Sequence, residues 1–138
     1  MTDSNGITRP VIAVATPTGG TAKSTTAVTL AALLAQQGRS VLVIDGDSQA
    51  TATSWLGVEL KDGQPSLGDL LHRRAQLDAV VVETNVAGVS LIPADRNLDG
   101  DVIALTAAPG GQNRLRAILV GVTHDVVIID CPGQLNVV

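Results

Sequence analysis

The chain has no phenylalanine and no tyrosine, and Trp55 is its single tryptophan among 138 residues. Apolar residues still make up 45% of it, supplied almost entirely by Val, Leu, Ile and Ala. A core of that kind suits parallel strands covered by helices on both faces. Lysine is nearly absent, only Lys23 and Lys61 being present, and the net charge is −4. A general electrostatic grip on DNA needs clustered Lys and Arg. The one close basic pair, Arg73-Arg74, reads as a solvated helix end, so direct DNA binding by this chain is not expected. A single cysteine, Cys131, excludes an internal disulfide and a cysteine metal set, and fits a reducing, cytoplasmic setting. No apolar run approaches the roughly 18 residues of a membrane span, so no membrane association is expected. The opening residues Met1-Thr2-Asp3-Ser4-Asn5-Gly6 lack the charged-then-apolar pattern of a leader.

What is present is one domain's worth of chain, able to bury roughly two thirds of its unfolded surface. Its mean hydropathy of +0.31 rules out disorder. Residues 1–10 read as a disordered polar lead-in and 11–138 as a single unit.

The most informative stretch is Ala15-Thr16-Pro17-Thr18-Gly19-Gly20-Thr21-Ala22-Lys23-Ser24-Thr25. It follows the apolar run Val11-Ile12-Ala13-Val14, a buried strand. It precedes Ala27, Val28, Leu30, Ala31 and Leu34, whose spacing predicts a helix over 24–37. Strand, glycine turn, Lys-Ser and helix make a phosphate-binding loop. Glycines let backbone N–H groups converge on an anion, and the helix start adds unpaired N–H groups and a partial positive charge. Lys23 can reach outer phosphates and the Ser24 hydroxyl can ligate Mg²⁺. The ordinary pattern is G-x-x-x-x-G-K-[ST]; here Pro17 and Ala22 replace its outer glycines.

Further along, Gly38 predicts the stop of that helix. Val41-Leu42-Val43-Ile44 is a second buried strand, and 50–56 a short helix closed by Gly57. Ser66-Leu67-Gly68-Asp69 matches a capping box for a helix ending near Arg74. Residues 79–82 fit either a strand or a buried turn. Val89-Ser90-Leu91-Ile92 reads as a third core strand. Asn97 is expected to cap a helix carrying Leu98, Val102 and Leu105, and another helix carries Leu115, Ile118, Leu119 and Val122. Val126-Val127-Ile128-Ile129-Asp130 is a fourth buried strand. Strands alternating with helices predict an α/β fold with a mostly parallel sheet and right-handed crossovers.

Asp45, Asp47 and Asp130 fall at the carboxyl ends of predicted strands, the edge where open α/β sheets bind ligands. Asp130, after four apolar residues, has the position of a Walker B acid, which holds Mg²⁺ near the loop hydroxyl. On spacing alone, Asp45-Gly46-Asp47 reads as an Asp-Gly turn. His72 is expected on a helix surface, His124 in packing, Trp55 in the core, and Cys131 as a buried thiol without a basic neighbour to lower its pKa.

Several segments together resemble the ParA/MinD family of deviant Walker A ATPases. Gly19-Gly20 resembles the centre of K-G-G-x-G-K-[ST], with Thr18 at the signature lysine and Ala22 at the glycine. Asp45-Gly46-Asp47-Ser48-Gln49 resembles D-x-D-P-Q, with Ser48 in place of proline. Residues 52–57 resemble N-A-T-S-G-L-G, 91–98 resemble L-I-P-A-x-x-x-L, and 124–132 resemble Y-D-x-V-L-I-D-x-P. The match runs in order over about residues 10–135, and the ordered set makes it specific. It covers the N-terminal half of such a protein and stops after the Walker B strand.

The resemblance implies a P-loop NTPase-like sheet with helices on both faces, binding ATP and Mg²⁺. It assigns the nucleotide to Gly19, Gly20, Thr21, Ala22, Lys23, Ser24 and Thr25, and the metal to Ser24, Asp45 and Asp130. Asp47 would position or deprotonate the attacking water, with Lys23 the second catalytic group. The function implied is DNA partition, plasmid or chromosomal, together with an adaptor protein. Thr18 cannot supply the charge that the signature lysine carries across a dimer; a trans cation of that type is worth about 10³–10⁵ in rate. Weak hydrolysis is therefore expected. By the same topology, strand 126–130 lies beside strand 11–15, whose other edge is left to a partner chain or a second copy. The alternative is a nonenzymatic scaffold or filament assembling through that edge.

Overall fold

The computed structural model describes residues 9–15 and 22–132, with backbone alone at Ala22. Five strands form one sheet in the order β1-β5-β2-β4-β3: β1 Val11–Val14, β2 Val41–Asp45, β3 Val82–Glu83, β4 Val89–Ile92 and β5 Val126–Asp130. β1, β5, β2 and β4 run parallel, and only the two-residue β3 is antiparallel, at the edge beside β4. The helices are α1 Ala22–Gln36, α2 Thr51–Trp55, α3 Leu67–Leu71, α4 Leu77–Val80, α5 Leu98–Thr106 and α6 Arg114–Val120. A 3-10 turn over 111–113 leads into α6.

The period-two alternation of the strands sorts their side chains to two faces. Leu42, Ile44 and Val127 pack with Leu67, Leu70, Leu71, Leu98, Leu105 and Leu119 on the α3/α5/α6 side. Val41, Val43, Leu91, Val126 and Ile128 pack with Ala27, Ala31 and Leu56 on the α1/α2 side. Both faces of the central strands are thus covered, as their unbroken Val/Ile/Leu runs predict. Every residue of β2 is buried. β1 pairs only with β5 among the described residues, and its Ala13 is exposed.

Four local expectations are corrected. Residues 79–82 are neither strand nor buried turn throughout: α4 ends at Val80 and β3 begins at Val82. Asn97 does not cap α5 with its side chain. The entry is instead shaped by Asp95, whose carboxylate accepts the Asn97 N–H at 2.9 Å. Trp55 is 43% exposed rather than in the core. His72 is half-buried, its Nε2 donating to the Asp101 carbonyl at 2.7 Å, so it joins α3 to α5. The expected strands, the helix stop at Gly38 (φ 85°) and the Asp69 carboxylate on the Ser66 N–H at 3.0 Å are all present. The lead-in is described only at Arg9 and Pro10; residues 1–8 lie outside the described residues.

Candidate functional site

Parallel pairing places Val14, Asp130 and Asp45 in one line across β1, β5 and β2, all at strand carboxyl ends. Two backbone bonds tie this rim together. The Cys131 N–H donates to the Val14 carbonyl at 3.0 Å, and the Gly46 N–H to the Asp130 carbonyl at 2.8 Å. A Cβ on Gly46 would stand 2.8 Å from that carbonyl oxygen, so the approach requires glycine.

The first turn of α1 is aimed at the rim. Lys23 is only 2% exposed, an unusual burial for an ammonium unless it is paired. Its Nζ donates to Asp130 Oδ1 and stands 3.7 Å from Asp47 Oδ2. The Ser24 hydroxyl donates to the other oxygen of Asp130 at 2.7 Å. Asp130 is fully buried and holds both residues at once. Thr25 follows on the exposed side of the helix.

Asp45, also fully buried, is engaged differently. Its Oδ1 accepts the Asp47 N–H at 3.1 Å, and its Oδ2 accepts the Thr53 N–H and hydroxyl at 2.9 and 2.7 Å. Burial pushes its carboxyl above the ordinary carboxylate value, and the Asp130 charge adds to this; the Thr53 and Asp47 bonds pull the other way. The Thr53 hydroxyl also accepts the Ala94 N–H at 3.2 Å, joining α2 to the end of β4.

The structure brings together Lys23, Ser24, Asp45, Asp47 and Asp130 from three separate segments. Gly19, Gly20 and Thr21, and Thr18 before them, lie outside the described residues. Two contributors escaped sequence reasoning, Thr53 and the Ser48–Asp99 pair, because these contacts form only when α2 and α5 fold back on the strand ends. Cys131 does have a basic neighbour: Lys23 lowers its thiol pKa, but burial, the larger effect, leaves it raised. This is not the environment of a nucleophilic thiolate.

The donor chemistry fits Mg²⁺: a hydroxyl and a carboxylate, hard oxygen ligands, converge beside a buried ammonium able to meet phosphate. No group of three or more His, Cys, Asp or Glu suited to a metal occurs among the described residues.

A mostly parallel sheet with Lys-Ser opening a helix and an Asp ending the adjacent strand defines a P-loop NTPase-like fold. The family description "AAA domain" matches residues 9–138, and the chain belongs to that family. It is 38% identical over 128 residues to sporulation initiation inhibitor protein Soj of Bacillus subtilis, covering 91% of this chain and 51% of Soj. It is 37% identical over 131 residues to chromosome partitioning protein ParA of Caulobacter vibrioides, covering 92% and 49%. Among solved structures, it superposes with TM-score 0.84 and 37% identity on cobyrinic acid a,c-diamide synthase from Mycobacterium smegmatis with bound ADP and magnesium, covering 93% of this chain and 53% of that one. The chain thus spans about half the length of the relatives it matches.

Proposed function

We propose that this chain binds ATP with Mg²⁺ at the rim between α1, β2 and β5, as part of a ParA-like system of DNA partition, and hydrolyses it slowly. The observation that carries this reading is the buried cluster in which Asp130 holds Lys23 and Ser24 together, with Asp47 beside them. An ammonium buried against carboxylates is poised to exchange one of them for a phosphate. Similarity to Soj and ParA supports the partition setting, and the ADP and magnesium of the cobyrinic acid synthase support the ligand.

In this reading Gly19, Gly20, Thr21 and Ala22 wrap the phosphates with their N–H groups, Lys23 neutralises the outer ones, and Thr25 completes the helix start. Ser24 and Asp130 would hold the metal. Asp45, the third metal residue that the resemblance implies, accepts from Asp47 at one oxygen and from Thr53 at the other, and in this reading it chiefly sets the shape of the rim. Bound Mg²⁺ supplies charge neutralisation to the phosphates. Asp47 accepts a hydrogen bond from water and aligns it for attack. Thr18 leaves the trans cation missing, which makes turnover slow.

The test is ATP binding with and without Mg²⁺, on the unaltered chain and on Lys23→Ala. Binding that needs Mg²⁺ and disappears in Lys23→Ala is expected; equal signals from the two proteins overturn the assignment. The outer edge of β1, which has no strand beside it among the described residues, favours a second reading, a scaffold that assembles without turnover. Assembly undiminished in Lys23→Ala would favour it.

A further inference from the structure

We propose that Ser48 is a positioning residue of this site: its hydrogen bond to Asp99 fastens the turn carrying Asp47 to α5 and sets where Asp47 stands relative to Lys23. The inference rests on the nucleotide-site reading above for its function, but not for its geometry. Asp47 occupies a short turn between β2 and α2. Inside that turn, the Gln49 N–H donates to Asp47 Oδ1 at 3.0 Å and the Ala50 N–H to the Asp47 carbonyl at 2.8 Å. These bonds shape the turn without anchoring it to another element. The turn ends at Ala50 with φ 55° and ψ 36°, a left-handed conformation that a Cβ disfavours. Strain of this kind persists only where the surroundings hold it.

The start of the turn is held by the Gly46 N–H on the Asp130 carbonyl and the Asp47 N–H on Asp45; the hold on its far side comes from α5. The Ser48 hydroxyl donates to Asp99 Oδ2 at 2.8 Å, across 51 positions of sequence. Asp99 lies in the first turn of α5, and that turn is itself fixed to α3. The Asp101 carbonyl accepts from His72 Nε2 at 2.7 Å, and Asp101 Oδ1 accepts from Arg74 Nη2 at 3.1 Å. Gly68 makes the approach possible, since a Cβ there would come 2.0 Å from Asp101 Oδ2. Asp99 is therefore a post on a braced helix, and Ser48 ties the Asp47 turn to it. Proline, which stands at this place in the D-x-D-P-Q pattern, has no hydroxyl and cannot make the link. A displacement of the first turn of α5 is transmitted through Ser48 to the distance between Asp47 and Lys23, now 3.7 Å.

The chain offers a direct probe, because it holds two lysines, one buried and one exposed. Lysine-selective isotope labelling gives one NMR side-chain signal for Lys23 and one for Lys61. In nucleotide-free protein, Ser48→Ala and Asp99→Ala are expected to shift the Lys23 signal in the same direction and by similar amounts. The double variant should add little, and Asp99→Asn, which keeps an acceptor oxygen, should stay near the unaltered position. The Lys61 signal and the thermal midpoint should hold still. A Lys23 signal indifferent to both alanine variants overturns the tether, as do additive shifts or a Lys61 signal that moves equally. Addition of Mg²⁺ and ATP to the unaltered chain tests the underlying reading separately. A Lys23 signal unmoved by nucleotide removes that reading whatever the variants show.

Discussion

Asp130 carries more of the site than any other side chain, because one buried carboxylate satisfies both Lys23 and Ser24. Asp130→Ala leaves the buried Lys23 ammonium, among the described residues, with the more distant Asp47 carboxylate alone. A loss of about 3 kcal/mol is expected, read as a lower urea midpoint. Thr53 has a similar hidden role, donating to Asp45 while accepting from Ala94. Thr53→Val should cost about 1–3 kcal/mol. The Asp45 carboxyl is already raised by burial, so its favourable contribution is complete below its ordinary 3.8 and is lost as pH rises through its folded value. Thr53 bonds favour the ionised form, so the Thr53→Val loss should be larger at neutral pH than below 3.8; equal losses would disprove the link. His124 has the opposite slope. Burial, aided by the Arg9 charge, lowers its pKa from the ordinary 6.5. Its contribution is therefore complete above 6.5 and falls away as acid protonates it in the unfolded chain first. Denaturation midpoints measured on either side of that value should decline toward acid, and His124→Gln should flatten the decline.

Among the elements, those with strong apolar runs were legible because burial on both faces leaves no choice of register: β2, β4 and β5 stand where their Val/Ile/Leu blocks stand. The helix around Leu115–Val122 was legible from spacing, but its entry was not. Gly111, in the 3-10 turn, packs so closely on α5 that a Cβ would lie 1.9 Å from the Leu105 carbonyl oxygen. Gly111→Ala should destabilise the fold by at least about 1–3 kcal/mol, through displacement of one backbone by another. An unchanged thermal midpoint would show that the turn can slide. Trp55 was misjudged because hydrophobicity predicts burial only when an element has a partner on that side. α2 is a single turn lying at the strand ends, and it leaves the indole 43% exposed.

For the whole molecule, the sheet is finished unequally. β3 closes one side as a two-residue antiparallel strand, too short to template another chain. β1 ends the other side, and among the described residues its outer edge has no strand beside it. Self-association at micromolar concentration is expected, measured by size-exclusion chromatography with light scattering. Ala13→Lys, at an exposed position of β1, should shift the protein toward monomer. A monomeric unaltered chain would count against the edge as an interface.

Local pattern alone determined the α/β class, the parallel core strands, α1 after its phosphate-loop motif, and the acids at the strand ends. These follow from periodicity and from residue chemistry within a few positions of each other. Only the tertiary structure decided that Asp130 faces Lys23 and Ser24, that Asp45 is satisfied by Thr53, and that Ser48 reaches Asp99. The first and last join groups 51 to 107 positions apart, and the second spans eight residues across the turn between β2 and α2; no short-range propensity carries that information. It arises when parallel pairing aligns β5 with β2 and the helices settle on the rim that the two strands share.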